Sequence, residues 1–168
     1  MQAIVQARMA VLGLIVIKIL IMCRRPEATT ERMDEMGGEK RAVVPESHLD
    51  LLERPLFAHL ATVGDGLPNV NPVWTVWDGE FLRFTTTTDR RKHRNVVEDP
   101  RVAVSINDPE RPYRYLEVRG VVERIEPDPA GDFFDVLARR YGLEYERPVG
   151  DAERRVVIVV RPTHATSQ

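Results

Sequence analysis

The pair Asp78-Gly79 constrains the fold more than any other feature of this sequence, because it lies between two segments in which apolar and polar residues alternate. Alternating segments are typical of half-buried strands, and an Asp-Gly pair between them is a strong local signal for a tight β-hairpin. A second turn signal, Gly-Asp-Gly-Leu-Pro at residues 64–68, separates another two segments of this kind. Both patterns predict that consecutive strands pair antiparallel.

Strand-like segments recur along the chain after residue 55. They cover residues 56–63, 70–77, 80–86, 101–107, 113–126 and 156–161. About six short strands with tight turns predict a mainly β fold, in which an antiparallel sheet curls strongly or closes into a barrel so that few edges are exposed. Pro72 cannot donate a ladder hydrogen bond, so we expect it at an edge, bulge or rim of that sheet.

Short helices are expected to flank the sheet. Residues 45–55 begin and end with proline and carry leucines on one face, which is typical of one short helix. Residues 128–141 have side chains at helical spacing, followed by Gly142 as a natural stop. The side chains at that spacing are Phe133, Val136, Leu137 and Arg140.

The composition narrows the possible functions. A net charge of -2 and a pI near 6.1 provide no overall positive field, which argues against nucleic acid as the main partner. The single cysteine, Cys23, excludes an intramolecular disulfide and the usual cysteine zinc sites, and the four histidines are widely separated. We therefore expect no metal, and the reducing cytoplasm is the expected location.

The N-terminal region carries a nearly unbroken apolar run at residues 9–22. The run contains a lysine and falls short of the roughly 20 apolar residues that a spanning helix needs. We expect a misassigned upstream start, with Met33 or Met36 as the true one, and membrane contact only if the run is real. Residues 1–44 are predicted to be an extension and flexible linker, and residues 45–168 a single domain.

The stretch from Thr85 to Asn95 concentrates hydroxyls and cations directly after a predicted strand. It contains four threonines, four basic residues between Arg90 and Arg94, and the amide of Asn95. If Asp89 caps a short helix here, a phosphate would meet hydroxyls, backbone N–H groups and side-chain charge together. A solvated basic helix face is the alternative that spacing alone leaves open.

Several short motifs follow one another in a recognisable order. They are residues 60–68, Asn71-Pro-Val-Trp74, Phe84-Thr85, residues 90–95, residues 99–104 and Gly120. Together they resemble the flavin/deazaflavin oxidoreductase family B, whose members are split β-barrel proteins related to pyridoxamine 5′-phosphate oxidase. The resemblance covers residues 47–164 and implies a split β-barrel with short flanking helices. It also implies a homodimer that binds coenzyme F420 in a groove between the subunits.

The resemblance assigns cofactor-binding residues by position. Those expected to contact or support the cofactor are Asn71, Pro72, Val73, Trp74, Thr86, Thr87, Arg90, Lys92, Arg94 and Asn95. The first four match a strand that lies along the tricyclic ring, while Arg90 and Lys92 match contacts to the phosphate region. Tyr113 is expected on the substrate side of the ring, and no residue is assigned a catalytic role.

Two pairs of residues leave alternatives open. Trp74 and Trp77 fall on opposite faces of one predicted strand, so one of them is expected in the core. Arg154 and Arg155 precede the last predicted strand, where they either extend the positive surface or remain solvated.

The function implied by the resemblance is that of an F420-dependent oxidoreductase. Such an enzyme transfers a hydride from the reduced deazaflavin to a small electrophilic, conjugated acceptor, while the protein supplies position, shielding and electrostatics. Two alternatives share the same barrel and phosphate site. One is an FMN-binding flavin reductase or pyridoxamine phosphate oxidase-like protein, and the other is a protein that binds F420 without turnover.

Overall fold

The computed structural model describes residues 43–168. The apolar run at residues 9–22 and the expected starts at Met33 and Met36 lie outside the described residues. The division into an extension at 1–44 and a domain at 45–168 therefore stays a prediction. Within the described part, no helix is long and apolar enough to cross a membrane.

The described part is built mainly from β-strands. The strands are β1 (Ala58–Gly64), β2 (Leu67–Val73), β3 (Thr75–Trp77), β4 (Leu82–Thr87), β5 (Arg101–Asn107), β6 (Tyr115–Pro127) and β7 (Arg155–Ser167). The helices are α1 (Leu49–Glu53), α2 (Arg91–Glu98) and α3 (Asp132–Tyr141), with short 3₁₀ turns at Glu46–His48 and Ala152–Arg154. The mainly β prediction is confirmed.

All the strands join one antiparallel sheet in the order β2-β1-β5-β6-β7-β4-β3. The two edge strands, β2 and β3, are consecutive in the chain and are separated only by Trp74. Because one extended segment supplies both edges, the sheet has to curl until those edges approach each other. This curled sheet with short helices confirms the predicted split β-barrel.

Both predicted hairpin turns are present. Between β1 and β2, Asp65 and Gly66 have φ angles of 53° and 71°, which are the positive values that a two-residue hairpin turn requires. Between β3 and β4, the Asp78 carboxylate accepts hydrogen bonds from the backbone N–H groups of Glu80 and Phe81 at 3.0 and 2.6 Å. Local side-chain chemistry therefore fixes both turns.

Two strand predictions differ from the structure. The segment predicted as one strand at 70–77 is divided at Trp74, because β2 pairs with β1 whereas β3 pairs with β4. The last strand was predicted to end at residue 161 but continues to Ser167, because β6 offers it a pairing partner beyond that point. Pro72 lies in the edge strand β2, as expected.

The core lies inside the curled sheet and under α1. Its largest fully buried side chains include Phe84, Leu60, Ile158 and Leu51. In α3, the inward residues are Asp135, Leu137 and Ala138, whereas Val136 is 40% exposed. The predicted apolar face of this helix is therefore wrong at Val136. Gly142 ends the helix with a φ of 69°, as predicted.

Candidate functional site

A pocket of about 210 Å³ opens where the strand partner changes at Trp74 and where β4 runs into α2. The residues that line it are Phe57, Pro72, Val73, Trp74, Thr85, Thr86, Thr87, Arg90, Lys92, Phe134 and Arg155. The pocket lining therefore combines aromatic and aliphatic side chains with hydroxyls and cations.

Two cations form the positive side of the pocket. Lys92 lies in the first turn of α2, where its side chain is partly buried, and Arg90 directly precedes the helix. Burial, followed by repulsion from Arg90, lowers the pKa of Lys92 below its ordinary value of 10.5. An anion bound between the two side chains would relieve this repulsion, so the pair is suited to hold a phosphate.

The predicted helix cap at Asp89 is wrong. The residue at the start of α2 is Arg90, and no side chain caps this end of the helix. Asp89 lies one residue before the N-cap position. Its carboxylate accepts hydrogen bonds from the Thr87 hydroxyl and from Arg154, both at 2.5 Å, and not from the first turn of the helix. The Thr87 hydrogen bond, supported by the charge of Arg154, lowers the pKa of Asp89. Asp89 thus fixes the loop that precedes the helix.

Three threonines at the end of β4 line the polar side of the pocket. The Thr85 hydroxyl donates to the Val156 carbonyl oxygen at 3.3 Å, and the Thr87 hydroxyl donates to Asp89. Thr86 is only 4% exposed, yet its hydroxyl has no hydrogen-bond partner among the described residues. A buried hydroxyl without a partner is unfavourable, and because this oxygen has almost no accessible surface, a ligand would reach it only after a local shift of the pocket lining.

A second part of the pocket wall is aromatic. Trp74 stacks on Tyr141 with ring centroids 5.0 Å apart and an interplanar angle of 12°, and its ring lies 6.1 Å from that of Phe134. Arg155 lies over the Phe134 ring at 4.0 Å and donates to the Asp151 carboxylate at 2.6 Å. This side offers a flat apolar surface with one anchored cation at its margin.

The pocket brings together most of the residues that the sequence assigned to cofactor binding. Those that line it are Pro72, Val73, Trp74, Thr86, Thr87, Arg90 and Lys92. Trp77 instead packs against the core, which confirms that one of the two tryptophans serves there. Asn71, Arg94, Asn95 and Tyr113 do not line this pocket, so their expected cofactor contacts stay predictions.

Asn95 and Arg94 hold α2 in place. The Asn95 side chain is 4% exposed and donates to the Thr62 hydroxyl in β1 at 2.9 Å. A side-chain carbon at Gly64 would overlap the Asn95 amide, so glycine allows the helix to lie this close to β1. Arg94 donates to the Asp89 carbonyl oxygen at 2.6 Å. These contacts determine where α2 presents Lys92.

Tyr113 is 85% exposed in the loop between β5 and β6. In this protomer it does not border the pocket, so its expected position beside the substrate stays a prediction. The remaining neighbour, Asn71, lies in β2 beside Pro72 and is partly buried.

Four pocket residues were not among those assigned to cofactor binding from the sequence. They are Phe57, Thr85, Phe134 and Arg155. Thr85 belongs to the predicted anion-binding stretch, and Arg155 was one of two arginines expected either to extend the positive surface or to remain solvated; it lines the pocket. Phe57 and Phe134 carry no local signal, because Phe57 precedes β1 and Phe134 lies in α3, both far along the chain from the threonine and cation run. In the described part, no group of three potential metal-binding side chains is present.

Comparison with known proteins identifies the family. The profile of the pyridoxamine 5′-phosphate oxidase family matches residues 44–168. This chain belongs to that family. A solved structure named F420 reductase is 56% identical, covers 74% of this chain and 100% of its own, and superposes with a TM-score of 0.72. The resemblance to the F420-dependent oxidoreductases of this family is therefore confirmed.

More distant solved structures share the fold. A conserved hypothetical protein from Mycobacterium tuberculosis is 23% identical, covers 79% of this chain and 89% of its own, and has a TM-score of 0.58. General stress protein 26 from Bacillus anthracis is 19% identical, covers 73% and 91%, and has a TM-score of 0.57. No curated protein matches the sequence. Family and neighbours together support an oxidoreductase of the flavin or deazaflavin type.

Proposed function

We propose that this protein is an F420-dependent oxidoreductase that transfers a hydride from the reduced deazaflavin to an electrophilic carbon of a small conjugated acceptor. The observation that carries the proposal is the mixed lining of the pocket, in which aromatic side chains are combined with hydroxyls and cations. A planar ring with an anionic side arm matches both kinds of surface. The 56% identity to the structure named F420 reductase supports the deazaflavin over other planar cofactors.

The residues present fit such a cofactor. Lys92 and Arg90 would hold its phosphate, and the unpartnered hydroxyl of Thr86 would donate a hydrogen bond to it. Pro72, Val73 and Trp74 would lie along the ring. When bound, the deazaflavin supplies the hydride chemistry, and the protein supplies its position and a dry surface.

The aromatic side of the pocket would exclude water from the acceptor. Trp74 and Phe134 present ring faces there, and Arg155 is held at their margin by Asp151 and by Thr85 at 3.3 Å. An acceptor with an anionic group beside its conjugated system would therefore be oriented by a cation that is already fixed. Orientation of this kind lowers the barrier to hydride transfer, and the anion that the acceptor then becomes would take its proton from water at the pocket opening.

We further propose that the protein acts as a homodimer whose second copy covers the pocket. On the outward face of the β1/β2 hairpin, Val70 is 58% exposed and Val63 is 39% exposed. Pro72 lies on the same face as Val70, two residues further along β2, and it lines the pocket. A second copy that buries this apolar face would also lie over the pocket opening.

Parallel titrations of the full chain with F420 and with FMN test the proposed cofactor, with quenching of tryptophan fluorescence as the readout. Tighter binding of F420 supports the proposal, whereas tighter binding of FMN assigns the protein to the flavin branch. The bound reduced deazaflavin is then mixed with a panel of α,β-unsaturated carbonyl compounds. Its oxidation, followed by absorbance against a protein-free control, separates an enzyme from a protein that only binds F420.

A further inference from the structure

Tyr141 occupies an unusual position at the point where the sheet edges meet. It is the last residue of α3, and its hydroxyl accepts a hydrogen bond from the Thr75 N–H at 3.0 Å and donates to the Leu56 carbonyl oxygen at 2.9 Å. Leu56 precedes β1, while Thr75 is the first residue of β3. One hydroxyl therefore ties together the two chain segments that flank the change of strand partner.

The ring of Tyr141 contacts two residues of the pocket wall. It stacks on Trp74 with ring centroids 5.0 Å apart, and it contacts Phe57 with ring centroids 5.9 Å apart and an angle of 57°. Tyr141 itself is not among the pocket-lining residues. Any influence on a ligand must therefore act through the two aromatic side chains that it touches.

The need for such a support follows from the fold. Trp74 belongs to neither β2 nor β3, so the ladder hydrogen bonds that hold a strand residue in place end on either side of it. A partly exposed indole at such a break would sample several rotamers without a side chain packed against it. The hydroxyl of Tyr141 supplies the missing backbone contact at Thr75, and its ring restricts the indole.

We propose that Tyr141 is a positioning residue, which holds the Trp74 indole as a rigid, preorganised face of the pocket. The ligand part of this inference rests on the proposed F420 function, but the effect on Trp74 in the free protein does not. A rigid aromatic face reduces the ordering cost of binding a planar ring, so the loss of Tyr141 should weaken binding without removing any direct contact.

The mobility of Trp74 in the free protein gives the decisive test. The chain has two tryptophans, so Trp77→Phe leaves Trp74 as the only indole. In that background, fluorescence anisotropy decay and acrylamide quenching are compared for Tyr141, Tyr141→Phe and Tyr141→Leu. We expect the quenching constant to rise about twofold for Tyr141→Phe, which loses the hydroxyl alone, and further for Tyr141→Leu.

A stability control separates positioning from general loosening. Ile106→Val removes one buried methyl group in β5, away from the pocket lining, and costs a similar amount of stability. It should leave the mobility of Trp74 unchanged. If Tyr141→Phe is folded by circular dichroism and its Trp74 is as restricted as in the parent, the positioning role is overturned. Should Tyr141→Leu not fold, the comparison with Tyr141→Phe decides the question alone.

F420 titration of the same variants gives the second readout. We expect Tyr141→Phe to raise the F420 dissociation constant about 5- to 10-fold, the scale of one lost hydrogen bond, and Ile106→Val to change it less than twofold. If a variant has a mobile Trp74 but binds F420 as tightly as the parent, the inference that a rigid Trp74 indole strengthens F420 binding is overturned. Failure of the parent protein to bind F420 would overturn the proposed function instead, while the mobility result would still judge Tyr141.

Discussion

Replacement of Lys92 by methionine should weaken F420 binding by about 1.5–3 kcal/mol, or about 10- to 150-fold in the dissociation constant. Methionine keeps an unbranched apolar stem of similar length, so the change removes the charge with little effect on packing. The magnitude is that of a hydrogen bond to a charged group, and it applies here because Lys92 is partly buried in the pocket. An exposed lysine would contribute far less, since solvent screens it.

Arg91→Met is the matched control. Arg91 is the neighbouring residue in the same helical turn, it is exposed, and it does not line the pocket. Both variants lose one positive charge, so any change in the long-range electrostatic attraction of the cofactor should be equal in the two. Isothermal titration at two salt concentrations should show a large loss for Lys92→Met and less than about a threefold loss for Arg91→Met. Equal losses would refute the phosphate assignment and leave only a diffuse positive surface.

The pH dependence gives a second test of the same site. Burial, followed by the charge of Arg90, lowers the pKa of Lys92 below 10.5, so the unfolded chain binds more protons than the folded one between these two pKa values. Stability should therefore rise with pH across that window, while F420 affinity falls as the ammonium loses its proton. In Lys92→Met both slopes should become shallower. An unchanged affinity profile would show that another group titrates.

Three further predictions address the pocket hydroxyl, a buried acid and the dimer. Thr86→Val should lower F420 affinity about fivefold in titrations. Thermal unfolding should show no loss of stability, because the buried hydroxyl of Thr86 has no hydrogen-bond partner among the described residues. Unchanged affinity would mean that the ligand does not bind this hydroxyl. Burial works to raise the pKa of Asp108, but hydrogen bonds from the Glu110 backbone N–H and from the Arg111 and Arg114 side chains outweigh it and hold that pKa at about 2. The stabilising effect of the Asp108 carboxylate should be complete above about pH 4 and lost as the pH falls through about 2. In urea unfolding, the stability of Asp108→Asn should therefore depend less on acid pH than that of the parent. An equal acid dependence in both proteins would contradict the stabilising role of Asp108. Val70→Glu should yield monomers in sedimentation, whereas Val97→Glu, an equally exposed apolar position on α2, should not; dimers in both would exclude the β1/β2 face.

Local chemistry made much of the fold predictable. The two hairpin turns were predictable because they depend on local residues: Asp65 and Gly66 adopt positive φ angles, and the Asp78 side chain accepts hydrogen bonds from the following backbone. The end of α3 at Gly142 is predictable for the same reason, since glycine also adopts a positive φ there. The threonine and cation run that begins in β4 was likewise recognised as a candidate anion site, since its residues are adjacent in sequence. These features depend on neighbours within a few positions, which is the range that a sequence pattern can report.

The remaining features depend on contacts between distant segments. The alternation of apolar and polar residues continues through Trp74, so no local pattern reveals that the pairing partner changes there from β1 to β4. Phe134 and Arg155 join the pocket because α3 and β7 pack against its rim, some 50 or more residues away along the chain from Trp74. Asn95 was expected from motif position to contact or support the cofactor, and only the structure shows that its amide hydrogen-bonds Thr62 and so helps to place α2.

The change of strand partner at Trp74 links the closure of the sheet to the creation of the site. If residues 67–77 formed one continuous strand with a single partner, the sheet would stay open and Trp74 would alternate into a ladder like any other residue. Because the segment instead joins both edges, it leaves one residue free of the ladder, next to the end of β4 from which the threonines and the cations of α2 emerge. The same change of partner thus brings an aromatic side chain beside the polar residues at the end of β4. A flat anionic cofactor needs both kinds of surface, and the Tyr141 hydroxyl links the chain segments on either side of the break while its ring stacks on Trp74.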